Sequence, residues 1–357
     1  MKKNIGFDLL RVWLSFEVVA DHYWIVPTGG AVGAFFQAMK AYAVPCFMML
    51  SFYLTERHYA DGDADWLRRR YPRLLVPFLV WPLLYAAVLF LGVRYSPTFV
   101  DSCQALTTFT YWKTSLDPRW TDLLWQWTFG SSPRNAMQLW FHVDLMVLTA
   151  AVFGLYRLFS ARLRPYVLAV MVAAGLTAQY TGFAVWLLGD LPFECKWTLG
   201  RLFPTMVFAA VGLSFGMIRG RISSLSSGTR CFLSLGGLWL LLFVFYSKCM
   251  TRGLPSLGYF GIHLVFTSIG ILAFFHFLPL ERLGGFAVRA ISLAARYCMG
   301  IYCCHYALGW LLYAYVFPHL GVGRETLASN LLIWVASWFL CWLLSLVPGR
   351  FTKDLVQ

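Results

Sequence analysis

Long apolar blocks separated by short polar stretches run through most of the chain. One helical crossing of a bilayer needs about 20 mainly apolar residues, and about ten blocks approach that length. We predict spans at roughly 6–26, 33–55, 74–93, 138–158, 165–183, 201–218, 231–247, 258–279, 292–316 and 327–347. The pattern contains no convincing internal repeat and no low-complexity linker. It therefore predicts an all-α, polytopic integral membrane protein with a single transmembrane domain over residues 1–357.

The first apolar block, "GFDLLRVWLSFEVVADHYWIV", also carries ionisable side chains. They are Asp8, Arg11, Glu17, Asp21 and His22. Ionisable groups inside a membrane are costly, so each one marks a candidate functional position. Arg11 and His22 are eleven residues apart, which is three helical turns plus about 20°, so they share one helix face about 16 Å apart. The simpler alternative is that Arg11 reaches the inner surface and His22 is an interface residue.

Composition places the chain outside the soluble class. Charged residues make up 13% and hydrophobic residues 59%, whereas soluble domains carry roughly 25% charged residues. The net charge of +13 would favour nucleic acid in a soluble protein, but basic cytoplasmic loops and an anionic partner explain it here. Because the nine cysteines include no CxxC spacing, we predict no metal site.

Lysine and arginine cluster in alternate loops, which orients the chain in the membrane. The clusters lie at the N-terminus, in 56–73, near 157–164, 219–230 and 282–296, and in the tail. Because cytoplasmic loops carry an excess of basic residues, both termini are predicted to be cytoplasmic. We therefore predict a multi-pass protein of the inner membrane.

The loop "ERHYADGDADWLRRRYPRLL" concentrates arginines at the predicted cytoplasmic side. They are Arg57, Arg68, Arg69, Arg70 and Arg73. Planar guanidinium groups match phosphate oxygens, so the cluster predicts a phosphate clamp in which Arg70 and Arg73 act together. Ser51 interrupts an apolar face near the same surface. Ordinary positive-inside anchoring is an equally simple explanation of the cluster.

Further polar groups gather on the predicted outer side. They are His142, Asp144, Glu194, Lys196 and Arg201. Around His22 they would form a hydrated cavity in which a polar acceptor could dock, although each could also be an interface residue. In span nine, Tyr302 and His305 lie near mid-membrane. A buried histidine needs a partner, and the sequence leaves open whether that partner is structural or catalytic.

Five segments, in order, resemble motifs of the acyltransferase family 3 membrane proteins. Arg11-x10-His22 resembles the Arg-x10-His signature of that family. The segments "VPCFMMLSFYL", "RYPRLLVPF", "QLWFHVDL" and "CMGIYCCHYAL" resemble its P-x-F-F-x-x-S-G-Y-L, Arg-x-x-Arg, L-W-F-L and S-L-G-I-Y-L-L-H segments. Four positions depart from the family pattern: Phe52 stands at a usual glycine, Cys298 at a usual serine, and His142 and Asp144 at places that are often apolar.

The resemblance implies transfer of an acyl group, often acetyl, from acyl-CoA to an extracytoplasmic carbohydrate or glycolipid. His22 would be the catalytic base or acyl carrier, with Asp21 or Glu194 orienting its ring and His142 near the acceptor. The CoA-binding set would comprise Arg11, Ser51, Arg69, Arg70 and Arg73, with Tyr302 and His305 as candidate oxyanion donors.

Two other classes of function fit parts of the pattern. A polysaccharide or lipid-linked sugar transporter would also use many spans and a polar outer cavity, although transporters often show matched broken helices in two halves. A non-catalytic assembly or sensor protein would leave the Arg11–His22 face unexplained. The acyl chain, the acceptor and the oligomeric state are left open.

Overall fold

The computed structural model describes residues 4–23, 42–106, 120–129, 137–181, 193–250, 262–278, 280 and 283–356. Within those ranges the chain is helical and contains no strand, which confirms the all-α prediction. The helices are α1 Ile5–Tyr23, α2 Ala43–Ala60, α3 Ala64–Tyr95, α4 Pro97–Gln104, α5 Trp120–Phe129, α6 Trp140–Leu158, α7 Arg164–Tyr180, α8 Phe193–Met217, α9 Arg219–Ser223, α10 Ser227–Met250, α11 Ile262–Phe277, α12 Gly285–Arg296, α13 Cys298–Tyr315, α14 Phe317–Leu320, α15 Leu327–Leu346 and α16 Arg350–Val356. One 3₁₀ turn, Met137–Leu139, precedes α6.

Several of these helices have the length and composition of membrane spans. Within the described ranges, four stretches are long and apolar enough to cross a bilayer, and Leu264–Phe277 is a shorter apolar helix. The four are Ala64–Tyr95, Trp140–Leu158, Thr198–Met217 and Leu327–Leu346. Large apolar side chains on α3 and α15, including Phe90 and Phe339, are exposed, as expected of surfaces that face lipid. The chain has multi-pass membrane character, and the count of about ten spans stays a prediction.

Helix α3 begins ten residues before the predicted span at 74–93. The carboxylate of Asp63 accepts a hydrogen bond from the Trp66 backbone amide at 2.8 Å, which is the arrangement of a helix N-cap. That bond, with a smaller contribution from His58, lowers the pKa of Asp63 below its usual value. The preceding residue Gly62 has φ of +66°, a conformation that glycine adopts at no steric cost. This turn separates α2 from α3.

The predicted span at 292–316 is interrupted in the structure. Helix α12 ends at Arg296 and α13 starts at Cys298, with Tyr297 between them at φ −101° and ψ 10°. These angles lie near the sparsely allowed bridge region. The Tyr297 hydroxyl is within 2.9 Å of Ser345 Oγ on α15. A tertiary hydrogen bond thus accompanies a break that apolar periodicity does not reveal.

Contacts among the helices divide the chain into two compact units. The first comprises Met1–Leu14, Ala41–Arg70 and Asp144–Ser292, and the second comprises Ser15–Lys40, Tyr71–Val143 and Leu293–Gln357. The single-domain prediction stays a prediction.

In the first unit, α8 packs against α2 and α7, and α10 packs against α11. Glycines allow close backbone approach at these crossings, as is common between membrane helices. A Cβ added at Gly212 of α8 would overlap the Met49 carbonyl of α2, and one at Gly175 of α7 would lie 2.6 Å from the Phe203 carbonyl of α8. These glycines set the distances between the helices.

In the second unit, α13 is the central element and packs against α4, α15 and α16. Most of its side chains are buried, including every residue from Gly300 to Ala307. Gly309 lies against the Tyr23 ring of α1. The Tyr23 hydroxyl donates a hydrogen bond to the Tyr306 carbonyl. The last turn of α1 is therefore fixed against α13.

Replacing Gly175 with alanine tests the close packing in the first unit. We expect Gly175→Ala to lower the melting temperature in detergent by roughly 5 °C, because the added Cβ forces α7 away from α8 at a cost of about 1–3 kcal/mol. Gly154→Ala on α6 is the matched control, because a Cβ there meets nothing within 4 Å. Its melting temperature should be unchanged or slightly raised. Equal melting temperatures for the two variants would contradict the close-packing interpretation.

Candidate functional site

Helix α1 carries both Arg11 and His22 on one continuous stretch of helix. It extends from Ile5 to Tyr23 without a break. Arg11 belongs to the first compact unit and His22 to the second.

His22 lies against a second histidine, His305 of α13. Its Nδ1 is 2.7 Å from the Val18 carbonyl oxygen, one turn back on α1. The same Nδ1 is 3.3 Å from His305 Nε2, and the two ring centroids are 4.9 Å apart. The Tyr306 ring packs edge-on at 5.6 Å. The structure therefore pairs His22 with a residue that sequence reasoning had placed among oxyanion donors.

His305 is wholly buried, and protein atoms lie beside both of its ring nitrogens. Its Nδ1 is 2.9 Å from the Ile301 carbonyl oxygen, one turn back on α13, and its Nε2 lies beside His22. The partner that the sequence required for this buried histidine is thus His22 together with a backbone carbonyl. Both histidines use the same local arrangement, in which the carbonyl four residues earlier binds Nδ1.

A network of buried hydroxyl and amide groups extends from the same helix. Tyr85 of α3 donates to the Cys303 carbonyl at 2.7 Å, and the Gln138 side-chain amide donates to the Tyr85 hydroxyl. Tyr302 donates to the backbone carbonyl of Gln138. The predicted role of Tyr302 as an oxyanion donor stays a prediction, and its hydroxyl has this structural partner.

His142 is fully buried in the second unit, near α13. Its Nε2 is 3.7 Å from Cys303 Sγ, and its ring centroid is 5.8 Å from that of Tyr302. Its Nδ1 has no hydrogen-bond partner among the described residues. A buried polar nitrogen without a partner is costly, so His142 remains a candidate for contact with a ligand.

Arg70 has a well-defined setting in the first unit. Its Nη2 donates to Ser51 Oγ at 2.7 Å, and its Nε donates to Thr149 Oγ1 at 3.3 Å. The guanidinium also lies over the Trp66 ring, 5.2 Å from the centroid. Two hydroxyl groups and one indole ring thus orient the guanidinium group. The structure brings Arg70 and Ser51 together, and it adds Thr149 and Trp66, which the sequence analysis did not identify.

The neighbouring arginines of the cluster have different surroundings. Arg73 Nε lies 3.8 Å from Asp354 Oδ1 of α16, and its side chain is 66% exposed. Arg69 is exposed on the surface of α3. Arg70 and Arg73 are three residues apart on α3. Among the described contacts, Arg70 binds Ser51 and Thr149, whereas Arg73 lies beside Asp354. Their predicted joint action stays a prediction.

Arg11 forms an ion pair with Asp8, three residues earlier on α1. Asp8 is buried, and its second oxygen accepts a hydrogen bond from Ser292 Oγ at 2.8 Å. The Arg11 side chain is 34% exposed. The buried carboxylate of Asp8 thus holds the Arg11 guanidinium near α12. The sequence did not predict this contact.

Asp21 and Glu194 are the two residues proposed to orient His22. Asp21 precedes His22, and consecutive helical side chains point about 100° apart, so the two leave α1 in different directions. The Glu194 side chain lies outside the described part of the chain. Whether either residue contributes to the reaction stays a prediction.

The pairing of Asp144 with Arg201 was not identified from the sequence. Arg201 of α8 binds both carboxylate oxygens of Asp144 on α6, with N–O distances of 2.8 to 3.1 Å, and both side chains are fully buried. Opposite charges in two apolar spans were the available signal, because such groups pair within membranes. In the structure these residues neutralise each other.

Comparison with known proteins gives a match that covers most of the chain. A family model described as an acyltransferase domain matches residues 4–349. No curated protein and no solved structure matches the chain.

Breaking the Asp144–Arg201 pair tests its structural role. We expect Asp144→Ala to destabilise the protein by about 3–5 kcal/mol, because the variant leaves a buried guanidinium without its counter-ion. Thermal unfolding in detergent measures the effect. Asp65→Ala removes the partner of exposed Arg68 and should leave the melting temperature almost unchanged. The double variant Asp144→Leu/Arg201→Met should recover part of the loss. Similar melting temperatures for Asp144→Ala and Asp65→Ala would contradict a structural role.

Proposed function

Because the chain belongs to acyltransferase family 3, it is a membrane acyltransferase, and we propose that it moves an acyl group from cytoplasmic acyl-CoA to a hydroxyl of an extracytoplasmic carbohydrate or glycolipid. Acetyl-CoA is the simplest donor. We place the protein in the inner membrane with both termini in the cytoplasm. The reaction requires no metal in this proposal, and its catalytic residue is His22.

The observation that carries the proposal is the hydrogen bond at His22 Nδ1. The Val18 carbonyl oxygen, 2.7 Å away, can only accept a hydrogen bond, so the proton of the neutral ring lies on Nδ1. The lone pair of the ring then lies on Nε2. A histidine held in one tautomer presents a defined base or nucleophile. This geometry supports His22 as the reacting residue.

We infer a reaction in which His22 Nε2 takes the proton of the acceptor hydroxyl. The acceptor oxygen attacks the thioester carbonyl, the carbon–sulfur bond breaks, and the departing CoA thiolate takes the proton from the imidazolium. In the alternative, Nε2 attacks the thioester carbonyl and expels CoA thiolate, so that His22 carries the acyl group. The acceptor hydroxyl then attacks the acyl carbonyl, the carbon–nitrogen bond breaks, and the hydroxyl proton passes to the thiolate. Both routes begin from the same lone pair and end with an ester and CoA thiol.

Arg70 is the best-supported candidate for binding the CoA phosphates. Its guanidinium is held by Ser51 and Thr149 and stacked on Trp66, so little side-chain freedom would be lost on binding. Pre-organised guanidinium groups bind phosphate oxygens through paired, charge-assisted hydrogen bonds. Arg11, Arg69 and Arg73 would add positive charge for the same donor.

Replacing His22 with alanine tests the catalytic proposal. We expect His22→Ala to lower CoA-thiol release from acetyl-CoA by at least roughly 10²–10⁴-fold, in the presence of an envelope lipid–sugar extract, because the variant lacks the base. His319→Ala is the matched control, because His319 is exposed. This replacement should leave the rate of thiol release unchanged. Wild-type rates in a monodisperse His22→Ala protein would contradict the proposal. Absence of both thiol release and CoA binding in the unmodified protein would favour a transporter.

Replacing Arg70 with alanine tests the phosphate assignment. We expect Arg70→Ala to weaken CoA binding by at least about tenfold, since hydrogen bonds to charged groups contribute about 1.5–3 kcal/mol. Isothermal titration of the detergent-solubilised protein with CoA measures the affinity. Arg94→Ala serves as the control on the same helix, because Arg94 is exposed and lies outside the arginine cluster. Equal CoA affinity in the two variants would contradict a phosphate-binding role for Arg70.

A further inference from the structure

We propose that His305 is the positioning residue of His22, with His305 Nε2 accepting a hydrogen bond from His22 Nδ1–H and stabilising the positive charge that forms on His22 during acyl transfer. The inference rests on the proposed function. It gives His22 a neutral imidazole partner, where sequence reasoning offered a carboxylate from Asp21 or Glu194.

The backbone carbonyls determine the protons of both rings. The Ile301 carbonyl oxygen lies 2.9 Å from His305 Nδ1 and the Val18 carbonyl oxygen lies 2.7 Å from His22 Nδ1. A carbonyl oxygen accepts and never donates, so each Nδ1 carries a proton in the neutral ring. His305 Nε2 therefore holds a lone pair. This nitrogen lies 3.3 Å from His22 Nδ1, which carries a proton.

The opposite arrangement of protons is unfavourable. If His305 Nε2 donated to His22 Nδ1, then Nδ1 would present a lone pair to the Val18 carbonyl oxygen at 2.7 Å. Two lone pairs at that distance repel each other in surroundings that contain little water. His305 would also need to be charged while wholly buried in order to keep its bond to Ile301. The geometry thus selects one direction for the hydrogen bond between the rings.

This direction has a consequence for the reaction. When His22 Nε2 takes a proton or an acyl group, the ring becomes positively charged. Its single Nδ1–H is then shared between the Val18 carbonyl oxygen and His305 Nε2 in a three-centre hydrogen bond, and the positive charge strengthens that bond. The stabilisation develops as the reaction proceeds and is weaker in the bound ground state. An interaction of that kind increases kcat more than it lowers KM.

Helix packing surrounds both imidazole rings. His305 is fully buried within α13, and the Tyr306 ring on the same helix packs against His22. The last turn of α1 is attached to α13 through Tyr23 and the Tyr306 carbonyl. The two imidazoles are therefore placed by helix packing as well as by their own hydrogen bonds.

Two amide substitutions separate the acceptor role from simple packing. In His305→Gln, the side-chain oxygen reaches about the position of Nε2 and preserves an acceptor for His22. In His305→Asn, the shorter amide retains a donor for the Ile301 carbonyl and lacks the acceptor toward His22. Ile301→Val on the same helix is the packing control. Thermal unfolding and monodispersity in detergent establish that all three variants fold.

The first measurement is steady-state CoA-thiol release from acetyl-CoA with an envelope lipid–sugar extract. We expect His305→Asn to lower kcat roughly 10- to 100-fold, with KM for acetyl-CoA changed by less than about twofold, while His305→Gln keeps kcat within about fivefold of the unmodified protein. Unchanged kcat in His305→Asn overturns the inference, as does an equal loss in His305→Asn and His305→Gln. A change confined to KM would overturn it in favour of donor binding.

A second measurement works without an acceptor and separates this inference from the proposed function. Diethyl pyrocarbonate modifies the imidazole lone pair, and peptide mass spectrometry gives the rate at His22. We expect a slower rate in His305→Asn and a preserved rate in His305→Gln, and equal rates in all variants overturn the inference. A protein without thiol release, or with full activity in His22→Ala, refutes the proposed function alone, because the labelling rates still decide the role of His305.

Discussion

The absence of water inside a bilayer is the constraint on which the arrangement of polar residues depends. A polar side chain on a membrane helix has to find its hydrogen-bond partner within the protein, because hydrocarbon offers none. The described contacts follow this rule. Asp144 meets Arg201, Asp8 meets Arg11 and Ser292, and His305 meets His22. Each contact joins residues far apart in the chain or one turn apart on a helix.

The same constraint helps to distinguish polar residues that stabilise the fold from those proposed to bind or react with a substrate. The Asp144–Arg201 pair is bidentate and fully buried, so its charges cancel and it joins α6 to α8. Arg70 and His22 differ from it. Arg70 is held by hydroxyl groups and an indole ring, and His22 by a carbonyl and a neutral imidazole. These contacts hold both side chains in defined orientations, which is the observation that supports their functional proposals.

The helix backbone itself selects the tautomers of the two histidines. A histidine whose Nδ1 meets the carbonyl four residues earlier needs no additional element to select its tautomer, and both His22 and His305 use that arrangement. Close helix contacts then set the distance between the rings. Gly309 admits the Tyr23 ring against α13, and a larger residue at that position would displace the end of α1 that carries His22.

The sequence by itself determined the helical class, the membrane character and the family, because apolar length, charge depletion and ordered motifs are local properties of the chain. It also identified Arg11, His22, Arg70 and His305 as costly polar residues in or beside apolar segments. Only the tertiary structure decided the partners: His305 for His22, Ser51 and Thr149 for Arg70, and Arg201 for Asp144. It likewise decided the helix break at Tyr297. Periodicity tells which face of a helix a residue occupies, whereas the residue it meets depends on how helices distant in sequence pack together.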